Sequence, residues 1–428
     1  MSGTVHVLGA GLAGLSAAVR LARAGRRVVV HEAAKQAGGR CRSYHDAALG
    51  LTIDNGNHLL LSGNRDALDF LALVGAPKDA LSGPAEAEFP FADLRTGERW
   101  TLRPNAGRLP WWVLAADRRV PGTRALDYLA PLGIFRGAGR AATIGESMAC
   151  EGVLWERLWH PVLLAALNTE PRDSDAGLAA TILRETLGAG GRACRPLIAV
   201  EGLSTAFVDP AVATLERAGA SLRLGRRLRG LGLGLGNGRV ERLDFSDGSE
   251  TLGPGDAVVM ALPAWVAADL LPGLDVPGEH RSIVNAHFAV APPPGSPLLL
   301  GVIGGTTEWL FSYPDRFSVT VSGADRLLDV PREELAATIW DEVARLSGQP
   351  GAPLPRWQIV KEKRATFAAT PAEAARRPGA ATRYRNLALA GDWTATGLPS
   401  TIEGAIRSGA RAAAHLSERG SAELRGAA

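Results

Sequence analysis

Long hydrophobic runs are missing. Nowhere does the 428-residue sequence sustain the roughly 18 apolar residues that a spanning helix needs, so membrane contact, if made, is expected from one side only. Cysteine is scarce. Cys41, Cys150 and Cys194 are odd in number, far apart and without a CxxC pair, which argues against a disulfide framework or a zinc site and fits a reducing compartment. An excess of one charge is absent as well: 47 basic against 44 acidic residues give +3, and no basic block interleaves with aromatics, so nucleic-acid binding has no support. The first residues run directly into Val5-His6-Val7-Leu8 with no basic segment before a longer apolar one, so no secretory leader is expected and the cytoplasm is the expected compartment. None of the eight histidines has HExxH or comparable spacing, and no metal is expected.

What is present begins with length and glycine. A chain of 428 residues exceeds the ~250–300 at which single cores stop growing, so two domains are predicted. Residues 5–8 read as a buried parallel strand, 12–24 as a packed helix stopped by Gly25, and Val28-Val29-Val30 as a second strand ending at Glu32: one βαβ unit. Between residues 81 and 195 lie several prolines, five of the ten tryptophans and a helical stretch around Leu154–Leu167, which reads as an inserted domain. Residues 221–262 return to strand character, with Asn237-Gly238 as a hairpin turn. The expected division is a discontinuous nucleotide domain over 1–80, 196–270 and 356–420, a second domain over 81–195 and 271–355, and a frayed tail over 421–428. The last helix is predicted over Thr401–Leu416.

Gly9-x-Gly11-x-x-Gly14 follows the first strand and opens the first helix. Glycines there let the backbone turn and approach a pyrophosphate, which the helix N-terminal amides stabilise. Glu32, 18 residues beyond Gly14, is placed to accept hydrogen bonds from both ribose hydroxyls. NAD and FAD share this fingerprint. Gly38-Gly39-Arg40 and, near the other end, Gly391-Asp392 after a buried-looking strand favour FAD, because an aspartate there can bind a ribityl hydroxyl that NAD lacks. Ser400-x-x-Glu403 reads as a capping box opening the last helix, whose positive end would face the flavin N1–C2=O edge.

GAGLAGLSAA, Glu32, GGR, LALAGDW and STIEGAIRSG together resemble the flavin-dependent amine oxidases and phytoene desaturases. Ile53-Asp54-Asn55-Gly56-Asn57-His58 and Leu158-Trp159-His160-Pro161 with Ala166-Leu167-Asn168-Thr169 look most like the squalene-associated branch, the hydroxysqualene dehydroxylases. The resemblance implies an α/β fold: a Rossmann-type FAD-binding domain of the amine oxidase kind with an interleaved α+β substrate-binding domain. It implies FAD contacts from Gly9, Gly11, Leu12, Ala13, Gly14, Glu32, Gly39, Arg40, Asn55, Gly56, Asn57, Leu228, Gly391, Asp392, Thr401 and Ile402, with His58 and Trp393 as catalytic candidates. The implied reaction is reductive dehydroxylation in hopanoid synthesis: a proton donor assists loss of hydroxide, and reduced FAD gives hydride to the allylic cation. A long apolar isoprenoid is the implied substrate; no motif specifies the electron donor or the proton donor.

Several residues keep two readings. His58 is structural or catalytic in about equal measure, and Cys41 beside Arg40 is more often an inert buried thiol than a reactive one. Trp111-Trp112, beside Asp117-Arg118-Arg119, are core residues or a peripheral membrane patch on the inner membrane face. Leu163, Leu164 and Leu167 line a tunnel or form a buried helix face. A desaturase or oxidase running the flavin the other way, and a flavoprotein that binds and hands on a prenyl lipid, remain open at this level.

Overall fold

The computed structural model describes residues 3–137, 139–234 and 238–426, with side chains described as far as Arg419. Apolar runs without alternation belong in a parallel sheet covered on both faces, and that is where they are found. Thr4–Leu8 pairs in parallel with Arg27–His31 on one side and Ala257–Met260 on the other. Leu387–Leu389 and Ser221–Arg223 complete a five-stranded sheet at its two edges. The first helix, Leu12–Arg23, lies against the last, Ile402–Gly426. Their backbones nearly touch: a Cβ on Gly409 would stand 2.2 Å from the Ala13 carbonyl oxygen, and Ser16 Oγ donates to the Ile406 carbonyl at 2.7 Å. The terminal glycine motif is therefore a packing requirement. The last helix outruns the expected Leu416 and continues through the expected tail to Gly426.

Leu228–Leu233, Val240–Phe245 and Gly248–Thr251 form a separate antiparallel sheet. Of the expected turn, Asn237 lies outside the described residues, while Gly238 has φ +60°. A third, seven-stranded sheet runs in the order 357–367, 280–288, 316–321, 309–313, 299–303, 89–93, 99–102. Strand Trp357–Phe367, expected in the nucleotide domain, belongs here instead: it pairs with His280–Phe288 along its length. Long-range pairing decided that boundary, and no local pattern marks it.

After strands 89–93 and 99–102, the inserted segment continues as a set of short helices. Where the helical stretch around Leu154–Leu167 was expected, a π-helical turn, Trp155–Trp159, leads into helix His160–Leu167. A second π turn, Ser204–Val208, leads into Asp209–Arg217. Each runs into an X-Pro pair, His160-Pro161 or Asp209-Pro210. A proline ring removes one i→i−4 hydrogen bond and crowds the carbonyl it would have met, so the preceding turn widens.

Candidate functional site

Three glycines build the nucleotide loop, each for its own reason. Gly9 has φ +104°. A Cβ on Gly14 would lie 1.9 Å from the Gly9 carbonyl oxygen, so the helix seats on the loop only without a side chain. At Gly11 a Cβ would meet nothing within 4 Å: the space above it is open. No side chain caps the first helix, which begins at Leu12 and Ala13, so its first amides are available to an anion. Gly39 has φ +57°, and a Cβ on it would stand 3.2 Å from the Gly11 Cα, while Gly38 N donates to the Ala10 carbonyl at 2.8 Å. Glu32 accepts from Ala10 N and Ala34 N, both at 2.8 Å, so its carboxylate also braces the loop. A diphosphate fits this cradle, and the room at Gly11 is the observation that tests it.

At the junction with the seven-stranded sheet, Arg40 donates to Asp392 Oδ1 at 2.7 Å and to the Ala365 carbonyl. Its side chain is 44% accessible, so the guanidinium is not closed off by the pair it makes. His58 is half-buried. Its Nδ1 donates to the Gly56 carbonyl at 2.8 Å, which leaves Nε2 as an acceptor, and burial lowers its pKa. His58 is thus a neutral acceptor and a poor proton donor. Asp54 nearby is raised by burial, against hydrogen bonds from Ser43 Oγ at 2.6 Å and Leu203 N at 2.9 Å. Beside Ala365, a cleft of about 350 Å³ is lined by Trp265, His280, Arg364 and Arg376, with the Arg364 guanidinium over the Trp265 ring.

Other expected contacts are placed differently. Asn55 Nδ2 donates to Glu362 at 3.2 Å, and Asn57 Nδ2 donates to Thr320 Oγ1 at 3.1 Å, so both amides tie the Gly56 loop to the seven-stranded sheet. Leu228 packs on the larger apolar core; the residues before it meet the ribose acid's backbone, with Arg226 N donating to the Glu32 carbonyl at 2.8 Å and Glu32 N donating to the Arg223 carbonyl at 2.9 Å. Trp393 does not offer a free aromatic face: it is 4% exposed, folds over Gly391 and donates Nε1–H to the Leu262 carbonyl at 2.9 Å. The expected capping box is also corrected. Thr401 Oγ1, not Ser400, accepts from Gly404 N at 3.0 Å. Glu403 instead reaches another helix, Arg65–Val74, and accepts from Asp66 N at 3.0 Å and Ala67 N at 2.8 Å. Its first-turn position next to Thr401 and Ile402 hid a long-range role.

Three features escaped the sequence reading. Buried Arg377 holds the loop after Gly391 through the carbonyls of Asp392 at 3.1 Å, Trp393 at 3.4 Å and Thr394, and through Thr396 Oγ1; burial lowers it to about 10. Asn168, in left-handed backbone at φ +51°, accepts from Gly323 N at 2.7 Å and donates to Thr366 Oγ1 at 3.0 Å, anchoring the helical insert to the sheet. Glu308, raised to about 7 by burial, accepts from Ser322 N at 2.7 Å, while its Oε1 has Arg326 at 3.8 Å. An asparagine in a motif was a usable signal for Asn168; nothing local marked the others. Leu163 and Leu167 are core residues, and Cys41 is buried and pushed up to about 12 by burial, the inert reading. Among the described residues one cluster has metal-ligand spacing, His6, His31 and Glu250, but Arg223 and Arg226 already occupy that carboxylate.

A family model described as flavin containing amine oxidoreductase matches residues 12–417. The chain is 56% identical over 414 residues to a hydroxysqualene dehydroxylase of Rhodopseudomonas palustris, covering 96% of this chain and 98% of that one. It is 54% identical over 413 residues to the protein of that name from Sinorhizobium fredii, with the same coverage, 96% and 98%. Among solved structures, cyclohexylamine oxidase from Brevibacterium oxydans superposes with a TM-score of 0.68 at 16% identity, over 99% and 100% of the two chains, a likeness of fold.

Proposed function

The chain belongs to the flavin-containing amine oxidoreductase family, and on that premise we propose that it removes the hydroxyl group of hydroxysqualene to give squalene, with FAD as its cofactor. The observation that carries this reading is the near-complete alignment, at more than half identity, with proteins of that activity. The site is compatible in kind. Reduced FAD, when bound, supplies the hydride; the chain must supply a proton so that the hydroxyl leaves as water, and must keep other water out.

Burial raises the carboxyl of Glu308 to about 7, and that group is already held by Ser322 N at 2.7 Å and paired through Oε1 with Arg326 at 3.8 Å. Glu403, also raised to about 7, is committed to two backbone amides and Arg407. His58 Nε2 then accepts from the substrate hydroxyl and orients it, and Arg40 with Asp392 fixes the edge of the cleft. Squalene made in this way would feed the cyclised triterpenoids of hopanoid type.

Incubating reduced protein under argon with hydroxysqualene, then extracting for mass spectrometry, should yield squalene as the flavin reoxidises. An untouched alcohol, together with turnover of an amine or a polyene by the oxidised protein, would replace this reading with an oxidase or desaturase. A strain lacking the protein should accumulate hydroxysqualene and lose hopanoids.

A further inference from the structure

Ten large hydrophobic side chains are exposed among the described residues, and seven of them fall between Leu109 and Phe135. Leu109 is 81% exposed, Leu114 72%, Leu126 75% and Leu129 54%, with Trp111 at 52%. Single exposed leucines are ordinary, but a group confined to one short segment marks an interaction surface. The segment is not loose. Trp111–Leu114 touches Ala125–Leu129, and Trp112 stands edge-on to Tyr128 at 5.1 Å. Trp112, Val120 and Ile134 point inward into the larger core. These short helices are therefore apolar on both sides, and the inner side alone is used by the fold. The tryptophan pair divides accordingly: Trp112 is core and Trp111 is surface.

Charge sharpens the reading. Between residues 108 and 140 there are six arginines and two aspartates, and one of these, Asp127, is turned back to cap Arg124 N at 2.7 Å. The whole chain carries only +3, so its positive excess is concentrated here. Arg118 lies over the Trp111 ring at 5.0 Å, a guanidinium held at the level of an interfacial indole. In a two-fold pair of chains the same arginines would face one another, which disfavours a second copy as the occupant.

We propose that residues 108–140 dock one-sidedly on a bilayer containing anionic phospholipid, with the leucines and Trp111 among the acyl chains and the arginines at the phosphates. If the substrate is the long apolar alcohol assigned above, this face is where it is exchanged; that clause rests on the proposed function, whereas docking does not. No helix among the described residues is long and apolar enough to cross a membrane.

The test uses the full-length, FAD-loaded protein and sedimentation with extruded vesicles of phosphatidylglycerol and phosphatidylcholine, or of phosphatidylcholine alone. Wild type should bind the anionic vesicles more tightly, and salt should weaken that binding. Leu109→Ser/Leu126→Ser/Leu129→Ser should lose most of it. Arg108→Gln/Arg124→Gln/Arg136→Gln should lose on the order of fivefold per arginine on anionic vesicles only. Both variants should keep wild-type turnover of detergent-solubilised substrate, so a failure of docking and a failure of the assigned reaction are read separately. Equal sedimentation of wild type and the leucine variant overturns the proposal. So does a wild type that ignores vesicles but self-associates by light scattering through the same leucines.

Discussion

Replacing Arg407 by methionine removes one guanidinium from three carboxylates. Arg407 donates to Asp66 at 2.7 Å, to both oxygens of Glu185 at 3.2 and 2.9 Å, and to Glu403 at 3.1 Å. It thereby joins the last helix to Arg65–Val74 and to Ala176–Glu185. One cation cannot neutralise three acids, and the most buried, Glu403, is the one that burial pushes up to about 7. Breaking a buried pair costs about 3–5 kcal/mol because the surviving charge is stranded. With an unfolding entropy of about 2.1 cal/mol/K per residue, roughly 0.9 kcal/mol/K for this length, that is a Tm loss of ~3–6 °C at neutral pH. The pH dependence follows from the sign. A carboxyl whose folded pKa lies above its unfolded one contributes stability below the unfolded pKa and loses it as pH rises through the folded value; 4.5 to about 7 is worth roughly 3 kcal/mol. In the variant Glu403 stays protonated to still higher pH, so the Tm difference should be largest near pH 8 and shrink toward pH 5. Scanning fluorimetry of both proteins across that range is the assay. A Tm difference that does not change with pH would refute the assignment of the buried proton to Glu403.

Gly11→Val should leave Tm of the apoprotein nearly unchanged and abolish FAD retention, because its side chain enters open space; Gly14→Ala should instead destabilise the fold, since its Cβ meets the Gly9 carbonyl oxygen. Glu32→Gln should weaken FAD binding by on the order of tenfold, measured by flavin fluorescence titration, because one charge-assisted acceptor is lost.

The nucleotide end was legible because its requirements are local. A loop that must turn at Gly9, stay open at Gly11 and seat a helix at Gly14 writes three glycines at fixed spacing, and the acid at the end of the second strand follows from the same unit. Apolar runs at 5–8, 28–30, 257–260 and 387–389 likewise determined a parallel sheet, since residues covered on both faces cannot alternate. Where a residue's partner lies hundreds of positions away, the sequence pattern misled. Ser400-x-x-Glu403 has the spacing of a capping box, yet Glu403 caps a helix some 340 residues earlier, and Trp393 is spent on the core. Strand Trp357–Phe367 is assigned to its sheet by pairing alone. Glu308 and Arg377 acquire their shifted pKa values from enclosure, a property of the assembled surroundings and not of neighbours in the chain. The outward turn of Leu109, Leu114 and Leu126 is of the same kind: their apolar character is in the sequence, but which apolar residues the core has room to take is settled only when the core is built.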